Sequence, residues 1–421
     1  MKSLDHPFRF DPALPDLPVA FDPGAVTRLF AAHAPGSGAI RAGRLQDVKY
    51  QPGARCVATY ELLVDEGGAA PRPTIGVVEI TPAGPAARLF VDDPALPWLG
   101  PAMDPAAMRA RFAALLAAGP DGQAITACTI TPIRYKPGAR CVFRYDLATP
   151  GGPRSFFGKL LAQDGDRLMA TVAALHDLSR RVPALPRIPA PVAYWPDVHL
   201  LVQPAVTGGA ELNTLAFDPA AEMVTREQWL RDAGARLAAL QAYVTVAAPR
   251  RTLADDLAEL REYVAPMAQA QPAPAARYGA LLGAVAARAA PQVDGAMVAA
   301  HGAFRTDQFM IQDGHLVMID LDGFCWADPA RDAGNFLAYL RWKAIRRPEQ
   351  AAFIDHAGRV FLAGYQAAGA TLDPARLALY EAASLLKIAG RRFRSLTVKE
   401  WPVVPQLLDA ARAVLDQPIS S

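Results

Sequence analysis

The chain reads as an α+β protein of two lobes, β-rich at first and mostly helical later, with one β-hairpin unit used twice. Three observations predict this. The stretch Tyr50-Gln51-Pro52-Gly53-Ala54-Arg55-Cys56-Val57-Ala58-Thr59-Tyr60-Glu61-Leu62 recurs at Tyr135–Leu147, with nine of thirteen positions identical. From about residue 211 onward the apolar spacing is that of amphipathic helices. The exception is a short β interlude at 309–320.

Each copy of the repeat spells strand, Pro-Gly turn, strand. Pro fixes the entry of the turn, Gly takes a backbone that bulkier residues resist, and the Cys-Val-x-x-Tyr run alternates at period two. A third strand follows each, Thr74–Ile80 after a loop at 66–73 and Phe156–Leu161 after a loop at 149–153. Aligned on these strands, Lys159 of the second copy corresponds to Val77 of the first. Between the copies a helix over Pro105–Ala118 presents Met108, Phe112 and Leu115–Leu116 on one face and serves as a connector. Beyond the second copy come a helix around Arg167–Leu178, a proline-rich run, an apolar strand His199–Gln203 and a turn at Thr207-Gly208-Gly209. Amphipathic segments near 226–247, 252–268 and 276–290 complete the pattern. The boundaries that result are 1–120, 121–205 and 206–421.

Hydrophobic residues make up 52% of the 421 and charged residues 20%, the balance of a globular chain able to bury a core. Forty-three Lys and Arg against 41 Asp and Glu leave a charge of +2, which argues against nucleic acid or an acidic membrane as partner. Four scattered cysteines with no CxxC pair give neither a zinc site nor a disulfide framework. Neither an apolar leader nor a long apolar run is present, so a cytoplasmic location is expected.

The chemistry concentrates at His301-Gly302-Ala303-Phe304-Arg305-Thr306-Asp307-Gln308, followed by two apolar strands around Asp313-Gly314 and then Ile319-Asp320-Leu321-Asp322. Asp-Gly accepts the positive φ angles of a tight hairpin turn. That hairpin brings Gln308 beside Asp320, an amide oxygen and a carboxylate together, as Mg²⁺ sharing its other positions with phosphate oxygens requires.

This stretch resembles the catalytic loop and metal hairpin of the aminoglycoside phosphotransferase and choline kinase family, a branch of the protein-kinase-like fold. Its loop runs His-Gly-Asp, four residues, Asn, then a hairpin and Ile-Asp-x-Asp. Ala327-Asp328-Pro329-Ala330-Arg331-Asp332-Ala333 resembles its downstream Gly-Asp-Pro-x-x-Asp-Leu segment. The resemblance implies a bilobal kinase-like fold that transfers phosphate from ATP, with Mg²⁺, to a hydroxyl of a small molecule. It makes Lys136–Arg140, with Lys136 and Gly138, the phosphate-covering turn and Lys159 the phosphate-neutralising lysine. The strand ending at Gln203 becomes the adenine-reading hinge. Gln308, Asp320 and Asp322 become the metal ligands, and Asp332 an anchor of the loop. The acceptor is expected over the helical lobe near His301 and Asp307.

Two departures stand out. The position of the family's catalytic aspartate is Ala303, and the helix after Lys159 carries only Asp166 and Asp177 where a glutamate belongs. Either Asp307 or Asp322 replaces the base, or the chain is a pseudokinase-like nucleotide-binding or scaffold protein, or Ala303 was introduced to trap a bound state. Arg55 and Arg140 recur in both copies, which favours a structural role for both. The first copy is expected to extend the small-lobe sheet or to cover the cleft. The Arg391-Arg392-Phe393-Arg394 run is read as a solvated helix face or a contact for an anionic substrate.

Overall fold

A computed structural model describes residues 11–33, 39–65, 72–117, 124–163, 165–206, 208–290, 296–395 and 402–417. The chain's first residues, most of the loop at 66–73, the boundary near 120 and Thr207 lie outside the described residues.

Helix α1 (Pro23–His33) leads into strands β1 (Ala39–Gln51), β2 (Arg55–Asp65), β3 (Arg72–Thr81) and β4 (Gly84–Leu89), an antiparallel sheet in sequence order. After α2 (Leu99–Ala102) and α3 (Pro105–Ala117) come β5 (Ala127–Lys136), β6 (Arg140–Thr149) and β7 (Gly152–Leu161), then α4 (Asp166–Arg181), β8 (Ala193–Trp195) and β9 (Leu200–Pro204). These five strands form a second sheet in the order β5-β6-β7-β9-β8. The segment between the repeats is therefore more than a connector, because it supplies the fourth strand of the first sheet. His199 is not in the apolar strand; it turns the chain with φ 47° just before β9.

The large lobe continues through β10 (Ala210–Glu211), α5 (Leu212–Ala216), α6 (Met223–Tyr243), α7 (Leu253–Arg261), α8 (Val264–Ala270) and α9 (Pro272–Ala289). The single helix expected over 252–268 is broken between α7 and α8. Strands β11 (Val298–Ala300), β12 (Phe309–Gln312), β13 (His315–Met318) and β14 (Cys325–Ala327) form the β interlude, and α10 (Ala330–Arg346), α11 (Ala351–Ala367), α12 (Pro374–Arg394) and α13 (Val403–Asp416) end the chain. A capping box starts α7, where the Thr252 hydroxyl accepts from Asp255 N–H and the Asp255 carboxylate accepts from Thr252 N–H. Such a cap stabilises a helix by ~1 kcal/mol.

The duplication runs deeper than the hairpins. Asp11-Pro12-Ala13-Leu14-Pro15-x-Leu17 recurs as Asp93-Pro94-Ala95-Leu96-Pro97-x-Leu99, and each copy then has a proline-started helix, α1 or α3. Asp11 accepts from the Tyr50 hydroxyl at 2.8 Å and from Gly53 N–H at 2.6 Å. Asp93 accepts from the Tyr135 hydroxyl at 2.6 Å and Gly138 N–H at 2.7 Å. Tyr60 and Tyr145 donate to Ala20 O and Ala102 O. In each turn Pro is followed by Gly with φ near +70° and closed by Ala N–H, from Ala54 to Gln51 O or from Ala139 to Lys136 O, a geometry that requires glycine.

The register corrects one alignment. Cys56 faces Ile80 across β2–β3, and Cys141 faces Leu160 across β6–β7. The counterpart of Lys159 is therefore Glu79, not Val77, which is fully buried.

Nor does the first copy extend the small-lobe sheet; the two sheets are separate. One face of the first, with Tyr50, Tyr60 and Leu62, shares a core with helices α7–α9, α12 and α13. Ile75, Val77 and Phe90 pack instead with Tyr135, Phe143 and Tyr145 of the second sheet. A further core joins α4, α6, α10 and α11 to the β12–β13 hairpin. No described helix is long and apolar enough to cross a membrane.

Candidate functional site

The loop at 301–308 is held from below. Strand β11 pairs with β14, so the chain leaves the sheet at His301 directly above the start of α10. The fully buried Asp332, in the first turn of that helix, accepts from His301 N–H at 2.6 Å and Gly302 N–H at 3.0 Å. Arg331 donates to Gly302 O at 3.1 Å and pairs with Asp256. At Gly302 φ is 81°, and an added Cβ would fall 2.0 Å from Gly323 O, so the close approach of the two loops admits no side chain.

His301 is not available for chemistry at the acceptor. Its ring is buried, Nδ1 accepts from Ala303 N–H at 3.3 Å, and Nε2 therefore carries the proton donated to Ile319 O at 2.9 Å. Ala303 is half-buried. Asp307, 48% exposed, is held by the Arg305 guanidinium at 3.3 Å.

The hairpin forms as its residues dictate. Asp313 (φ 50°) and Gly314 (φ 72°) make a two-residue turn, and Gln312 pairs with His315. Ile319 N–H donates to Gln308 O at 2.9 Å, which fixes Asp320 beside the loop in a left-handed conformation, φ 61°. Two cations from the small lobe meet the acids there. Lys159 lies 2.8 Å from Asp320 Oδ1 and 2.6 Å from Asp322 Oδ1. Arg140 pairs with Asp322 and lies 3.9 Å from Asp320. Burial opposes ionisation of Asp320, but Lys159 and then Arg140 outweigh it and hold its carboxyl well below the usual range. Arg140 is thus turned into the cleft and is not structural in the sense expected from its repetition. Arg55, its counterpart, stays within its own sheet, 3.7 Å from Glu79.

Gln308, the expected metal ligand, is engaged by Arg305. Its buried amide, oriented to satisfy its neighbours, places the oxygen on Arg305, 2.9 Å from Nη2 and 3.2 Å from Nε. The amide oxygen thus accepts from Arg305.

The turn at Lys136–Arg140 lies beside Asp320 and Asp322. Gly138 and Ala139 share with Asp322 and Phe324 the lining of a cleft of about 410 Å³. Burial, followed by repulsion from Arg140, Arg134, Lys49 and Arg391, pushes the Lys136 amine down to about 8. The β8 pairing stops at Ala193↔Val202, one residue before Gln203, whose own side chain donates to Pro189 O at 3.4 Å. Sequence reasoning missed Asp93, the anchor of this turn, although the repeated Asp-Pro-Ala-Leu-Pro motif signals it. Of the arginines at the end of α12, Arg391 is exposed, while Arg392 lies over Trp342 and Arg394 over Tyr263.

Among the described residues, no group of three or more His, Cys, Asp or Glu side chains gathers to cage a metal. Mg²⁺ bound with phosphates needs only one or two carboxylates. Asp320 and Asp322, converging on the same two cations, fit that donor set.

A family model described as the phosphotransferase enzyme family matches residues 149–380, just over half of the chain. No curated protein matches. Among solved structures, a glucosamine kinase in complex with glucosamine, ADP and inorganic phosphate is 17% identical, over 92% of this chain and 97% of its own, with a TM-score of 0.47. A choline/ethanolamine kinase family protein from Mesorhizobium loti is 15% identical over 74% and 96%, TM-score 0.47. The amicoumacin kinase hAmiN, in complex with AMP-PNP, Ca²⁺ and Ami, is 14% identical over 69% and 89%, TM-score 0.49.

Proposed function

The chain belongs to the phosphotransferase enzyme family, and from that premise we propose that it transfers the γ-phosphoryl group of ATP, with Mg²⁺, to a hydroxyl of a small molecule. The observation that carries this reading is the meeting of Lys159 and Arg140 with Asp320 and Asp322 across the two lobes. Cations and carboxylates are matched in number there, and the cations lie where phosphates would take them over.

Bound between Asp320, Asp322 and the phosphates, Mg²⁺ would supply charge neutralisation of the transferred group. Lys159 and Arg140 exchange their carboxylate partners for phosphate oxygens, the turn at Lys136–Arg140 covers the phosphates, and the β9 edge at Gln203 receives the base. The acceptor hydroxyl oxygen bonds to the γ-phosphorus as the bond to the β-bridging oxygen breaks. ADP leaves with that electron pair, and the hydroxyl proton passes to an oxygen of the transferred phosphoryl group. Ala303 has no atom to receive the proton, so positioning and electrostatics carry the catalysis.

A second reading, a pseudokinase-like nucleotide-binding or scaffold protein, is favoured by one observation. The nearest loop carboxylate, Asp307, is exposed and tied to Arg305 instead of replacing the missing base. Calorimetric titration of ATP with and without Mg²⁺, followed by γ-phosphate transfer assays on the protein and Ala303→Asp, separates the two. Metal-dependent binding with slow turnover is expected, and Ala303→Asp raises turnover by ~10²–10⁴, the worth of a general base. Absence of metal-dependent binding would sink both nucleotide-binding readings and leave only the scaffold.

A further inference from the structure

A pocket of about 300 Å³ opens beside the loop, between Thr306–Asp307, α5 and the end of α10. Its size is that of a small-ligand site. Under the proposed function this is where the acceptor sits, and its charge is unexpected. Lys343 and Arg346 of α10 and Arg347 just after it line the pocket, and Asp307 is the one carboxylate among its described lining residues. That carboxylate is already compensated by Arg305.

The Lys343 ammonium is a built feature of the wall. It donates to Asn213 Oδ1, a neutral acceptor that also takes the Thr306 hydroxyl at 2.9 Å, and lies 4.0 Å from the centre of the Phe217 ring. Among the described residues only Asp307, across the pocket, attracts this half-buried cation; burying it costs solvation energy, a cost that an incoming anion lowers. Tyr339 and Trp342 also line it, their rings covered by Arg305 and by Arg346 and Arg392.

We infer that the acceptor is a hydroxylated carboxylic acid of monosaccharide size, its carboxylate held by Lys343 and Arg347 and its ring beside Thr306 and Asp307. The inference rests on the phosphotransferase reading for the word acceptor, but the charge preference of the pocket stands on its own residues. Polycationic acceptors are repelled by Lys343 and Arg347.

Binding of three isosteric sugars without nucleotide tests this: D-glucuronate, D-glucose and D-glucosamine, measured by calorimetry at low salt. D-glucuronate is expected to bind at least about tenfold more tightly than D-glucosamine, with D-glucose between, since one well-placed partly buried charge contact is worth roughly that factor. The advantage should shrink in Lys343→Met and, separately, in the exposed Arg347→Gln, which leaves the helix intact. It should also weaken on adding NaCl. Equal or tighter binding of D-glucosamine, no detectable D-glucuronate preference, or a preference that survives both substitutions overturns the inference. Acid preference in a protein that fails the ATP titration removes the phosphotransferase reading and leaves the pocket's charge assignment standing. ATP turnover without acid preference does the reverse.

Discussion

The two copies of the β unit have the same strands, the same turn and the same buried aspartate beneath it, yet only the second faces the cleft. In the first, the turn is docked. A side chain added at Gly53 would collide with Gln269 of α8 at 2.4 Å, whereas at Gly138 the nearest atom is Ala95 Cβ at 4.0 Å. The charges then diverge at one register position. Glu79 in the first copy pairs with Arg55 and Arg88, so the sheet closes its ions internally. Lys159 stands at that place in the second, leaving two cations on one sheet and obliging the acids to come from the large lobe. A single inversion of charge separates a unit that packs from a unit that reaches across a cleft.

The largest effect should come from undoing that inversion. Lys159→Met is expected to lower phosphoryl transfer by ~10²–10³, the usual consequence of removing one preorganised charge from a transition state. Glu79→Gln, the matched change in the first copy, should leave the rate unchanged and cost at most about 1 kcal/mol of stability. Steady-state kinetics and thermal melts on the pair check this. Equal effects on rate at both positions would abolish the distinction between the copies.

A middle-sized effect is expected at the shared aspartate. Asp11→Asn and Asp93→Asn each weaken two hydrogen bonds to a buried charged acceptor, on the order of 2 kcal/mol by denaturant unfolding. Only Asp93→Asn loosens the turn at Lys136–Arg140, so only it should also raise the Kd for ATP.

What the sequence made legible follows the same division. The loop and hairpin from His301 to Asp322 are local. Asp313-Gly314 sets the turn by its own conformational tolerance, and the β interlude stands out against helical spacing. Features that depend on which surfaces meet were not legible. Arg140 and Arg55 are the same residue in the same motif, and only the placement of the large lobe gives them different partners. Glu79 was passed over because the first copy joins β2 to β3 through residues 66–71 while the second has the two-residue turn between Thr149 and Gly152. Alignment on the glycines of the third strands therefore misses the register. Gln308 occupies the family's amide position, but its orientation is decided by Arg305, three residues earlier. The cationic character of the pocket needed the end of α10 to be brought against Asp307, a contact no local pattern records.

The smallest effect concerns Arg140 and Arg55. Both are arginines paired to carboxylates, but Arg55 is 55% exposed in its side chain and its pair with Glu79 contributes little. Arg55→Gln should change neither Tm nor metal affinity measurably. Arg140 competes with any divalent cation for Asp322, so Arg140→Gln removes a rival positive charge within contact distance. Screened interactions of this kind are worth about 1 kcal/mol, which corresponds to an approximately fivefold tighter Kd for Mg²⁺ in the absence of nucleotide. With ATP present the sign reverses, because the same guanidinium then serves the phosphates, and affinity for the nucleotide falls by a similar factor. Titrating Mg²⁺ alone and MgATP into both variants reads the two signs directly. A change of the same sign in both titrations would show that Arg140 does not pass from carboxylate to phosphate.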